Sequence, residues 1–301
     1  MIAGEEMAGV LSGPLVGHRH LDDPVSVAAR RELRVGDRTV IAISDGYLNL
    51  EVELGRTLIG TPERPTAAYD VLAETMEGDV RLPIGCFLVP GDTMVLIDAG
   101  VGPVDYHDMN LVFGGNLIPQ LAAVGVEPEQ IDVLALSHLH PDHVGWLADV
   151  EARPTFPNAR VCFGTGDWEF FVEGDGGRMG LEPQMRACLL ALAEQDRVTL
   201  LDDDRQIAPG ITRLAAPGHT PGHSLYAIHD RGERALLLGD AVYCPQQMVN
   251  SDWLALSDVD PVLAGKTRER YLRDLEAHGG VGLGCHFPEL REARMLGGTP
   301  R

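Results

Sequence analysis

Four side chains able to hold a metal ion fall together in His138-Leu139-His140-Pro141-Asp142-His143. Imidazole and carboxylate in one set suit zinc, and also iron, manganese or cobalt, whereas calcium or magnesium would want mostly oxygen ligands. A His-x-His step on extended chain aims two imidazoles at one cation. Asp142 and His143, one turn further on, point to a neighbouring position. The plain alternative is a polar loop of uncoordinated histidines, and His-x-His-x-Asp-His is too specific a pattern for that reading.

Further donors follow at wide spacing. Pro217-Gly218-His219-Thr220-Pro221-Gly222-His223, then Gly239-Asp240, then Gly284-Cys285-His286-Phe287-Pro288 each come directly after a short apolar run. His138, His140, Asp142, His143, His223, Asp240 and His286 make seven donors. That is too many for one tetrahedral zinc and right for two sites that share one carboxylate. Cys244 and Cys285 stand close to Asp240 and His286, but a small buried Cys near a strand end is ordinary, so neither is expected to be a ligand or nucleophile. His18, His20, His107, His229 and His278 carry no spacing signal and read as ordinary surface or core histidines.

These donors need strand ends to hold them, and the chain supplies them. Leu33, Val35, Val40 and Ile43 alternate across Gly36-Asp37, the turn signal of a hairpin that opens a sheet. Ile84–Val89 and Met94–Ile97 form a second apolar pair around Pro90-Gly91-Asp92 and close on Asp98. Ile131–Leu136, Arg160–Phe163, Ile211–Ala215, Leu225–Ile228, Ala235–Leu238 and Val281–Leu283 continue the strand series. Helices are expected at about 115–124, 182–194 and 262–277, the last with Asp260 as N-cap, Pro261 at the first helical position and Gly279-Gly280 as its stop. Hairpins with interspersed helices fit two sheets packed face to face with helices outside, in a single α/β domain over residues 31–301. Residues 1–30 lack a sustained period and read as an arm.

The series resembles the metallo-β-lactamase superfamily, whose pattern runs HxHxDH, a distal His, an Asp in a Gly-Asp step and a last His. The likeness covers roughly residues 32–290. It implies an αββα sandwich of two mixed sheets and a dinuclear centre of divalent transition metals, zinc first among them. His138, His140 and His223 would hold one ion, Asp142, His143 and His286 the other, with Asp240 bridging. The pattern takes the second His of PGHTPGH, which leaves His219 as a hydrogen-bonding support. Asp98 matches a position that supports the metal histidines. In the acyl-homoserine lactone lactonases of this superfamily a Tyr at the spacing of Tyr243 hydrogen-bonds the substrate carbonyl.

The resemblance therefore implies opening of a lactone or ester by a metal-bridging hydroxide, with Tyr243 on the oxyanion and Asp142 passing a proton to the leaving alkoxide. Asp240 argues against antibiotic hydrolysis, since true β-lactamases of the superfamily generally lack that Asp, and the full donor set argues against the one-iron sulfur dioxygenases. Leu33-Arg34-Val35-Gly36-Asp37, Ser44-Asp45-Gly46, Phe156-Pro157-Asn158-Ala159 and Pro209-Gly210-Ile211 are similar to the methyl parathion hydrolase group, which makes an organophosphate or aryl ester hydrolase the first alternative. A glyoxalase II-like thioester hydrolase ranks third, because only fifteen residues follow His286. A silent metal-binding scaffold is disfavoured, because such relatives typically lose ligands.

Composition narrows the partners. The 301 residues carry 24 Lys plus Arg against 45 Asp plus Glu, a formal charge of −21. Such a chain repels nucleic acid and acidic membrane surfaces, which leaves the small ester or lactone that the resemblance implies as the expected partner, with a homodimer as the open oligomer. No apolar stretch approaches the ~20 residues of a membrane span. Glu5 and Glu6 and the lack of a basic leader point to the cytoplasm. Five scattered Cys without a CxxC pair suit reduced thiols.

Overall fold

Side chains of β2 (Arg38–Asn49) and β4 (Arg81–Val89) are buried on both faces. Ile41, Ile43, Cys86 and Leu88 go to one core, while Val40, Ala42, Phe87 and Val89 go to another. This period of two is what a strand sandwiched between layers requires. In this computed structural model, which describes residues 30–49, 59–75, 80–103, 112–296 and 299–300, the two strands belong to the first of two large sheets. The arm expected over 1–30 lies, Arg30 apart, outside the described residues.

The first sheet runs in the order β1 (Arg30–Val35), β2, β4, β5 (Val95–Ile97), β7 (Val133–Ala135), β8 (Arg160–Gly164), β9 (Val198–Leu201), with β6 (Val112–Phe113) also on β2. It is antiparallel from β1 to β5 and parallel from β5 to β9. The second runs β10 (Arg205–Ala208), β11 (Ile211–Ala215), β12 (Ser224–Asp230), β13 (Glu233–Leu237), β15 (Val281–Leu283), β16 (Ala293–Leu296), β17 (Thr299–Pro300). A small ribbon pairs β3 (Ile59–Gly60) with β14 (Leu254–Ala255). Each hairpin and strand read from the apolar runs is present.

Phe87, Ile97 and Ala135 of the first sheet meet Tyr226, Ile228, Leu237 and Leu283 of the second in the central core. The outer face of the first sheet is covered by α2 (Leu117–Ala123) and α4 (Pro183–Glu194), through Leu117, Leu121, Leu189 and Leu192. The outer face of the second is covered by α5 (Pro261–His278), through Tyr271, Leu272 and Leu275. The layers are therefore αββα, as expected. Helix α5 also makes the crossover between the parallel strands β13 and β15, starts with the Asp260 carboxylate accepting from Leu263 N–H at 2.9 Å and stops at left-handed Gly279. Helix α1 (Ala67–Thr75), not anticipated from the sequence, packs Leu72 beside Ile59, Tyr243 and Trp253.

Candidate metal centre

Five strands of the two sheets end at one rim of the sandwich, and each delivers a polar side chain there. Beyond β5 comes Asp98, beyond β7 the His138–His143 turn with the single-turn helix α3 (Pro141–Val144), and beyond β11, β13 and β15 come His219, Asp240 and His286. All of these side chains are buried. Polar groups in such numbers stay buried only where each finds a partner or a ligand.

They form two groups. In the first, His138 Nε2 lies 3.0 Å from His140 Nδ1, and His219 Nε2 lies 3.2 and 3.0 Å from those two atoms. A tetrahedral ion bonded at 2.0–2.1 Å has ligand atoms about 3.3 Å apart, so these three nitrogens are spaced to share one cation. Burial, reinforced by the neighbouring imidazoles, holds His138 well below the usual histidine range and His140 down at about 3. Neutral rings are the form a metal needs.

In the second group, His143 Nε2 and His286 Nε2 stand 3.3 and 3.4 Å from Asp240 Oδ1 and 3.6 and 3.4 Å from Asp142 Oδ2. Both nitrogens are buried without a hydrogen-bond partner. Burial works against their protonation, but the surrounding acidic groups, Asp240, Asp142 and Asp98 at His143 and Cys285, Asp240 and Asp142 at His286, outweigh it and raise both above the ordinary value. Asp142 is the converse case: burial pushes its carboxyl up, and His143 and His286 bring it down to about 2. Asp240 reaches both groups, since its Oδ2 faces His219 Nε2 at 3.5 Å and His138 Nε2 at 3.9 Å. One carboxylate thus has an oxygen toward each cluster. The donor chemistry, the nitrogen spacing and the two orphaned nitrogens fit a pair of transition-metal cations.

The opposite ring nitrogens are anchored, which fixes where the free ones point. His143 Nδ1 lies 3.0 Å from Asp98, His138 Nδ1 lies 3.0 Å from Ser137 Oγ, His219 Nδ1 lies 3.0 Å from Asp258, and His286 Nδ1 donates to Pro83 O at 2.7 Å. Asp98 thus stands under His143, and it also accepts from Ser137 N–H and Oγ–H.

The expectation for the distal histidine is corrected. His219 faces the cluster and His223 stands behind it. Backbone C=O of His223 takes the Ala216 N–H, extending the β11–β12 ladder, and its Nε2 accepts from the Asp240 N–H at 3.2 Å. His219 sits instead at the tip of the turn that Gly218 makes at φ 136°, where a Cβ would lie 2.2 Å from Ala264 N. The ladder fixes one histidine behind the cluster and the turn projects the other into it.

Three further carboxylates were not found from the sequence. Asp258 orients His219 and also accepts from Ala255 N–H. Asp167 accepts from Leu139 N–H, Thr220 Oγ–H and Gly222 N–H, tying the two histidine loops together, and burial pushes it up to about 6 against those hydrogen bonds. Asp45 is the extra residue of a bulge in β2 and accepts from the Val101, Gly102, Gly115 and Leu117 amides and the Trp146 indole. Tyr243 does lie at the centre. Its ring stacks on His286 at 5.1 Å and 9°, and its hydroxyl pairs with Ser257 Oγ at 2.9 Å.

Comparison with known proteins identifies the family and the fold. The family model described as Metallo-beta-lactamase superfamily matches residues 80–278. N-acyl homoserine lactonase AiiA of Bacillus thuringiensis subsp. kurstaki is 26% identical over 201 residues, covering 62% of this chain and 73% of that protein. N-acyl homoserine lactonase AiiB of Agrobacterium fabrum is 25% identical over 203 residues, covering 61% and 68%. Among solved structures, AidC, a dizinc quorum-quenching lactonase, superposes with a TM-score of 0.76 at 20% identity over 91% of this chain and 96% of its own. The hydrolase AbOPH superposes with a TM-score of 0.74 at 24% identity over 90% and 95%. These two share the fold.

Proposed function

Because the chain belongs to the metallo-beta-lactamase superfamily, we propose that it is a dinuclear metal-dependent hydrolase that opens lactone rings, N-acyl homoserine lactones among them. The observation that carries this reading is Asp240, with one oxygen toward His138 and His219 and the other toward His143 and His286. His138, His140 and His219 would hold one cation, Asp142, His143 and His286 the other, with Asp240 shared; zinc is the assignment for both. The activity named for the lactonase relatives supports the substrate class.

When bound, two such cations supply Lewis acidity and a water acidic enough to attack a carbonyl near neutral pH. The rest falls to side chains. Burial holds the Tyr243 phenol well above its usual range, so it stays a neutral hydroxyl, and the Tyr243–Ser257 pair has a hydrogen left to donate to the developing oxyanion. Asp142 is 6% exposed, the most accessible of the seven expected donors. It is therefore the carboxylate placed to carry a proton to the leaving alkoxide.

A substrate panel tests the proposal: homoserine lactones of several acyl lengths, γ- and δ-lactones, an aryl ester, paraoxon and a glutathione thioester. The lactones should give the highest kcat/KM. A clear preference for paraoxon would transfer the assignment to the organophosphate hydrolases.

A further inference from the structure

Cys285 is set apart by its surroundings. Its Sγ lies 2.9 Å from Asp240 Oδ1, the same oxygen that faces His143 Nε2 at 3.3 Å and His286 Nε2 at 3.4 Å. The four ligand atoms of Cys285, His143, His286 and Asp240 all lie within 4.8 Å of one another. The sulfur does not stand alone: the two imidazole nitrogens beside it are fully buried, have no hydrogen-bond partner and point into the same space. Gly284 makes the approach possible, since a Cβ there would meet the Phe287 ring at 2.4 Å. The tight Gly284–Phe287 turn, closed by Phe287 N–H to Gly284 O at 3.3 Å, brings two consecutive side chains to one carboxylate.

We propose that Cys285 donates its sulfur to the cation held by Asp142, His143, His286 and Asp240, making that position a mixed imidazole, carboxylate and thiolate site. The inference rests on the two-cation reading above and adds to it a preference among metals. When the cation binds, the S–H bond gives way to a sulfur–metal bond and the proton leaves to solvent. Asp240 Oδ1, relieved of the S–H hydrogen bond, turns to the cation. A thiolate donor strengthens the preference for zinc, cobalt or cadmium over manganese and magnesium at this position, whereas the cluster of His138, His140 and His219 has only imidazoles and the shared Asp240 carboxylate to set it.

Cobalt provides the test, because a sulfur–cobalt bond produces a near-ultraviolet charge-transfer band that imidazole and carboxylate ligands do not. Metal-free full-length protein is loaded with two equivalents of Co(II), bound cobalt is counted, and the spectrum is recorded for wild type, Cys285→Ser and Cys285→Ala. The expected result is a charge-transfer band in wild type that is lost in both variants. Cys86, Cys162, Cys188 and Cys244 remain as internal controls. Wild-type protein with two bound cobalt ions and no such band overturns the sulfur ligand while leaving the dinuclear hydrolase standing, and so does a band that survives in Cys285→Ser. In either case the thiol only hydrogen-bonds Asp240. Wild-type protein that takes up fewer than two cobalt ions overturns both readings. Should Cys285→Ala fail to fold, the wild-type spectrum and the near-isosteric Cys285→Ser still decide.

Discussion

His219 and His223 carry the same side chain four residues apart, and their surroundings give them opposite tasks. Asp258 holds one ring nitrogen of His219 and leaves the other among His138 and His140. His223 spends its Nε2 on the Asp240 amide. His219→Ala should therefore lower the metal content from two ions per chain to about one. His223→Ala should keep both ions in whatever folded protein it yields. Elemental analysis of the purified variants checks this, and the reverse pattern would restore His223 to the cluster. Tyr243 makes the complementary case. Tyr243→Phe keeps the stack on His286 and removes only the hydroxyl, so metal content and melting temperature should stay while lactone kcat/KM falls roughly 10- to 1,000-fold. An unchanged kcat/KM would reduce Tyr243 to packing.

At the scale of elements, the buried carboxylate of Asp45 and the exposed one of Asp260 show how unequal two accepting carboxylates can be. Asp260 caps one helix with a single accepted bond, and Asp260→Ala should cost about 1 kcal/mol with metals and turnover intact. Asp45 satisfies four backbone amides and an indole N–H inside the molecule. Asp45→Ala would strand all five donors at about 1–3 kcal/mol each, more than a domain of ordinary stability tolerates. Urea unfolding and soluble yield measure both, and a mild effect at Asp45 would mean that water replaces the carboxylate. The same contrast explains what could be read in advance. Strands, the α5 caps and six of the seven expected donors follow local rules: alternation, turn chemistry, and donors placed at strand ends. Asp45, Asp167 and Asp258 follow none, because their hydrogen-bond partners, the Ala255 amide beside Asp258 apart, arrive from 28 to 101 residues away. The choice between His219 and His223 turned on which backbone extends the β11–β12 ladder, a tertiary fact invisible in PGHTPGH.

Across the whole molecule, two sheets that share a core bring their strand ends to one rim, so ligands from both halves of the chain meet only in the folded state. Residues before β1 show no core periodicity, and removing residues 1–29 should leave the melting temperature and both metal ions in place. Loss of soluble protein on that truncation would assign them to the core. Because folding builds both donor groups around Asp240, catalysis should need both positions filled. The most direct measurement is a titration of metal-free protein with zinc, following ring opening of an N-acyl homoserine lactone by proton release. Little turnover is expected at one equivalent, full turnover at two, and loss on chelation. Full activity at one equivalent, or none at two, would contradict it.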